Sequence, residues 1–182
     1  TMTVTPQLVK ELRDRTMAGM MDCKKALEAC DCDMEKAIVW LREKGIAKAE
    51  KKASRVAAEG LCSYVIDGND CVLFELNSET DFVAKNDKFL ALLDKVGQII
   101  SASDVTNTEE ALSISVEGKT LENIILEDSA VIGEKVSLRR VQRITKENSQ
   151  IFGAYKHMGG RIVVVAVLDN ADEVVAKDIA MH

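Results

Sequence analysis

Residues 60–100 read GLCSYVIDGNDCVLFELNSETDFVAKNDKFLALLDKVGQII, and two different periodicities meet inside them. Leu61–Ile66 and Cys71–Leu76 are strand-like runs, separated by the turn-rich Asp67-Gly68-Asn69-Asp70. That arrangement predicts a β-hairpin. Past residue 86 the period lengthens. Phe89, Leu92, Leu93, Val96, Ile99 and Ile100 mark one face of a long helix, with Asn86 placed to cap it. Between hairpin and helix sits NSETDFVAKND, a polar stretch carrying Phe82, one of only 4 phenylalanines in the chain. Thr80 or Asp81 is suited to an N-cap, which would let Phe82 pack beneath the helix. The other reading is that Phe82 is displayed to a partner. Pattern alone leans to the first and leaves both open.

Working back from Gly60, the chain is helical. Thr5-Pro6 pairs a capping hydroxyl with proline at the first helical position, where no amide hydrogen bond is lost. Leu8, Val9 and Leu12 then share a face, and Thr16-Met17-Ala18-Gly19 breaks the helix. Asp22 is the expected cap of a second helix that buries Ala26 and Leu27. Asp33 is the expected cap of a third, with Met34, Ala37, Ile38 and Leu41 as its apolar stripe and Gly45 as its end. Residues 1–46 therefore predict a three-helix module, and 47–59 a charged helical linker.

Working forward, residues 60–148 form the first part of a core. Within them, 101–119 suggest no clear element and a helix is expected around Leu121–Ile125. Strand character returns at Val136 and Leu138. Residues 149–182 begin a second part: Ile151–His157 and Arg161–Leu168 flank Met158-Gly159-Gly160 as another hairpin. The nearly unbroken apolar run Ile162–Leu168 predicts a strand covered on both faces. A helix from about Asp172 should bury Val174, Val175 and Ile179, and it reaches His182 without a cap, the expected mark of a truncated chain. The hairpin-then-helix order thus occurs at 60–102 and again at 150–182. The fold class expected is α+β, a helical module ahead of two subdomains that each pack an antiparallel sheet with helices.

The chemistry of the chain is sparse. There is no GxxxxGK[ST] phosphate loop and no GxGxxG after a strand, and the two histidines, His157 and His182, leave little for acid–base or nucleophilic work. The five cysteines lack the paired spacing of a zinc site and read as free thiols of a reducing compartment. A net charge of -6, with no aromatic residues interleaved among Lys48, Lys51, Lys52 and Arg55, disfavours nucleic-acid binding. No run is long enough to span a bilayer, and a cytoplasmic location is expected. What stands out instead is Met20-Met21, read as lying between the first two helices. Two adjacent methionines there cannot both face one core, so they either staple the second helix or offer a pliable contact.

Several of these segments together resemble the bacterial elongation factor Ts family. The likeness is carried by LVKELRDRTMAGMMDCKKAL at residues 8–27, VAAEG at 56–60, TDFVA at 80–84 and YKHMGGRI at 155–162. It is collinear over essentially the whole chain. Two positions depart from it: Met17, where a small residue is usual, and Val163, where glycine is usual. The resemblance implies a guanine-nucleotide exchange factor for elongation factor Tu, without covalent chemistry. It also implies an N-terminal bundle like a ubiquitin-associated domain. No cofactor of the chain's own is expected, since the nucleotide and Mg²⁺ belong to the partner. By the same resemblance, Thr80, Asp81, Phe82 and Val83 form the motif that disturbs the partner's magnesium region. Met20 and Met21 would touch the same partner domain, and His157 another. No direct nucleic-acid or membrane contact is implied, and a 2:2 complex is open for the full-length protein.

Overall fold

The computed structural model describes residues 3–182. Helix α1, Pro6–Thr16, starts where the Thr5 hydroxyl accepts the Leu8 amide at 3.3 Å, with proline in the first turn. It closes on Met17, whose φ of 57° is left-handed. Helix α2, Met20–Ala29, begins earlier than the expected Asp22 cap. Gly19 is its extended N-cap, and its carbonyl takes the Cys23 amide at 2.9 Å. Asp22 lies instead in the first turn, where its charge complements the helix dipole. Met20 and Met21 are therefore helical, which corrects the reading of them as a loop.

Helix α3, Met34–Lys51, is capped by the Asp33 carboxylate, as expected, but does not stop at Gly45. A β-carbon at Gly45 would sit 3.0 Å from that of Ala130, so the glycine serves a close helix crossing and not a terminus. The linker is correspondingly shorter in helix than expected: residues 47–51 complete α3, and the chain from Lys52 turns toward the first strand. Leu12, Leu27, Cys23, Ala26, Ala37 and Val9 form the buried centre of the three helices.

Strands β1, Glu59–Asp67, and β2, Asp70–Ser78, make the expected hairpin, with Asp67 opposite Asp70. After β2 come a single helical turn, α4, Asp81–Ala84, and the long α5, Asp87–Ser101, capped by the Asn86 side chain. Phe89, Leu92, Val96 and Ile100 of α5 are buried against Val72, Phe74 and Leu76 of β2.

Residues 101–119 are more ordered than their polarity suggested. They hold α6, Thr108–Leu112, then a minimal ladder of β3, Ser115–Val116, and β4, Lys119–Thr120. Such short pieces carry no readable periodicity. Helix α7, Leu121–Ile132, runs a full turn and more beyond its expected end. Strand β5, Ser137–Thr145, then pairs antiparallel with the free edge of β2, giving the order β1-β2-β5. The Arg143 side chain of β5, itself only 8% exposed, donates to the carbonyls of Ile100, Ser103 and Val105, which pins the polar stretch to the sheet.

The last unit is β6, Gln150–His157, and β7, Ile162–Asp169, crossed by α8, Glu173–Met181. Two burial expectations fail here. Ile162 and Val164 stay exposed on one face of β7 and Val167 on the other, so neither face is fully covered. Val174, Val175 and Ile179 are exposed too, and α8 buries Ala176 and Ala180 instead. Gly153 supplies the reason. A β-carbon there would fall 1.9 Å from the Ala176 carbonyl oxygen, a contact distance that admits only the small face of the helix. The two sheets meet where the Cys62 amide donates to the Gly160 carbonyl at 2.7 Å and Lys156 reaches the Ser63 hydroxyl at 3.1 Å. Val163, half-buried, lines a shallow cleft there with Cys62. The whole is an α+β fold.

Candidate functional site

The turn that carries Phe82 is built from hydrogen bonds of its own backbone and its neighbours. Ser78, the last residue of β2, donates its hydroxyl to the Thr80 carbonyl at 2.9 Å. Thr80 is extended, and its Oγ1 accepts the Val83 amide at 3.3 Å, an N-cap closing α4. Ala84 is buried, and Val83 packs against the sheet core. Asp81 and Phe82 point the other way: Asp81 is exposed, and Phe82 is 82% exposed. The reading that tucked Phe82 under the long helix is therefore wrong. The helix takes Phe89, seven residues on, while Val83 and Ala84 anchor the turn.

Two further groups hold this turn that no local pattern singled out. Both carboxylate oxygens of Glu134 are spent on Thr80, one accepting its amide at 3.0 Å and the other its hydroxyl at 2.9 Å. Next to it, the Lys135 amide donates to Glu79 at 2.8 Å. The partners lie 54 and 56 residues apart in sequence, beyond any local signal.

The remaining expected site residues lie elsewhere on the surface. Met20 and Met21 are 56% and 66% exposed on the first turn of α2, beside the exposed Met17. His157 ends β6, exposed, with its Nδ1 3.0 Å from the Tyr155 hydroxyl. These residues and Phe82 sit on three separate elements and share no core cluster.

The arrangement offers little for bond-making chemistry. Burial pushes the thiols of Cys23 and Cys62 up, and that of Cys71 up to about 11, which leaves them poor nucleophiles. Among the described residues, no group of three or more His, Cys, Asp or Glu could hold a metal ion. No helix among them is long and apolar enough to cross a membrane. Several basic groups are paired: Arg139 and Arg140 with Glu75, Arg143 with Asp70, and Lys48 with Asp22. What the turn does present is an exposed aromatic ring on a braced base.

Residues 79–182 match the family model described as Elongation factor TS, a span that opens one residue before the Thr80 cap. The chain belongs to the elongation factor Ts family. It is 60% identical over 182 residues to Elongation factor Ts of Acholeplasma laidlawii (strain PG-8A), covering 100% of this chain and 62% of that protein. It is 47% identical over 181 residues to Elongation factor Ts of Phytoplasma australiense, covering 100% of this chain and 65% of that one. The chain thus spans just under two thirds of the length of either relative. The elongation factor Ts model takes in the Phe82 turn, Glu134 and the second hairpin. The helical module with Met20 and Met21 falls within the two full-length alignments.

Proposed function

We propose that the chain is a guanine-nucleotide exchange factor that binds elongation factor Tu in its GDP form. Asp81 and Phe82 enter the partner beside its magnesium and phosphate region, GDP leaves, and the factor departs when GTP binds. Thr80 and Val83 shape and seat the turn. Met20 and Met21 contribute pliable contact to the same partner domain, and His157 contributes a contact further along. Both the nucleotide and Mg²⁺ are the partner's, and no covalent step is required of this chain.

The observation that carries the reading is the exposure of Phe82 at 82% on a turn whose next two residues are anchored in the core. An exposed aromatic ring on a fixed base is costly to keep in water and useful only where something encloses it. Enclosing a Phe side chain contributes about 1.5–3 kcal/mol, or roughly one to two decades of affinity at about 1.4 kcal/mol per decade. That is too little to eject a tightly held nucleotide alone, so the methionine and His157 contacts must share the work. The coupling is reciprocal: a factor that weakens nucleotide binding is itself weakened by nucleotide. Engagement of Arg139, Arg140, Arg143 and Lys48 in ion pairs weighs against a nucleic-acid partner.

The test is stopped-flow release of fluorescent GDP from elongation factor Tu, with a full-length relative run in parallel. Asp81→Ala with Phe82→Ala should slow release more than it weakens complex formation. An unchanged release rate in the double variant would refute the motif's role.

A further inference from the structure

We propose that Glu134 is a positioning residue for the Asp81-Phe82 turn, holding the displayed ring in one direction through Thr80. The inference rests on the exchange reading above and adds a residue to it. Its basis is the donor and acceptor inventory at Thr80. The Thr80 hydroxyl has one proton and two lone pairs. Its Oγ1 accepts the Val83 amide at 3.3 Å, so the proton is free for Glu134 Oε2 at 2.9 Å. Glu134 Oε1 takes the Thr80 amide at 3.0 Å. One carboxylate therefore fixes both the backbone and the side chain of the residue that caps α4, through charge-assisted bonds.

The turn needs such support. Helix α4 is four residues long, and a single turn is unfavourable to form by itself. Phe82 is exposed and adds little packing of its own to hold the turn. A turn left to fray would have to be ordered at the moment of binding, which lowers affinity and rate together. The brace is also double. Glu79 accepts the Lys135 amide at 2.8 Å, so two consecutive residues between β2 and α4 bond two consecutive residues of the α7–β5 connection. Lys135 then extends its Nζ to the carbonyls of Ala53 at 2.6 Å and Arg55 at 3.0 Å, in the segment leaving α3. The same connection thereby ties the Phe82 turn to the end of the helix that carries the N-terminal module.

The experiment compares Glu134→Ala and Glu134→Gln in the full chain, by GDP release from elongation factor Tu and by amide hydrogen exchange. Glutamine can still accept the Thr80 amide but cannot accept its hydroxyl proton, so it should retain part of the effect. Glu134→Ala should slow release by on the order of tenfold, with Glu134→Gln in between. Exchange protection should fall at Phe82, Val83 and Ala84 while α5 and β2 stay protected. Adding Glu134→Ala to the Asp81→Ala, Phe82→Ala variant should slow release no further. An undiminished effect in that background, or wild-type release by Glu134→Ala where the motif variant is slow, overturns the positioning role. If the motif variant itself releases GDP at the wild-type rate, the exchange reading has failed. Protection at residues 82–84 then decides the brace: its loss in Glu134→Ala supports it, and its retention overturns it.

Discussion

Replacing Phe82 and Phe89 separately by alanine applies one chemical change to two rings seven residues apart. Phe89 is fully buried in the first turn of α5, among Val72, Phe74, Leu76 and Leu92. Emptying such a site costs about 3–5 kcal/mol, from lost transfer energy and the cavity left behind. For a chain of this size each kcal/mol lowers the thermal midpoint by about 2–4 °C, so Phe89→Ala should melt roughly 6–20 °C early. Phe82, at 82% exposed, has almost no burial to lose. Its removal should change stability by about 0.5 kcal/mol or less, the range of surface substitutions. Urea unfolding followed by far-ultraviolet circular dichroism measures both. The pair should separate cleanly, with Phe82→Ala retaining the wild-type midpoint and slope. A loss above about 1.5 kcal/mol for Phe82→Ala would place its ring in a core and refute the display of Phe82.

Other expectations concern stability and reactivity. Met17 holds a φ of 57° at the end of α1, a conformation that costs a residue with a β-carbon about 1–2 kcal/mol. Met17→Gly should therefore stabilise by about 0.5–1 kcal/mol after the entropy glycine adds to the unfolded chain, read as a higher melting temperature. Gly153→Ala forces a β-carbon to 1.9 Å from the Ala176 carbonyl, and should release α8 from its sheet, seen as faster amide exchange in 173–181 and earlier proteolysis. Cys71, raised by burial from 9.0 to about 11, keeps its proton in the native state after the unfolded chain has lost it. Its contribution should make stability fall between pH 9 and 11, at up to about 1.4 kcal/mol per pH unit; Cys71→Ala should flatten that limb in pH-dependent unfolding.

Much of the architecture could be read from the chain because it is written in local terms. The Asp67–Asp70 turn, the Thr5, Asp33 and Asn86 caps, and the α5 stripe each depend on neighbours within a few residues. The failures share a different cause. Gly45 resembles a helix terminus until Ala130, distant in sequence, arrives against it. Val174, Val175 and Ile179 have the spacing of a buried stripe, yet the close approach at Gly153 selects the alanine face. Phe82 has the sequence context of a ring packed beneath the helix, and only the structure shows that Phe89, Val83 and Ala84 take the packed positions while Phe82 is exposed. Glu134 could not be found from local pattern at all, because its meaning lies in Thr80. The family likeness had pointed to the displayed ring, which composition and period did not.

The continuity of α3 through Gly45 has a consequence for avidity. Eighteen residues of helix make a strut of about 27 Å. One half is embedded in the N-terminal bundle, and the other lies against α7, the helix leading into the Glu134 connection. A flexible linker would let the proposed methionine and Phe82 contacts find a partner independently. On a strut, docking one presents the other at high effective concentration, provided the spacing on the partner matches. Gly45→Leu, which wedges α3 away from Ala130 of α7, should lower affinity for the partner with Met20, Met21 and Phe82 themselves unchanged, read by titration of the complex.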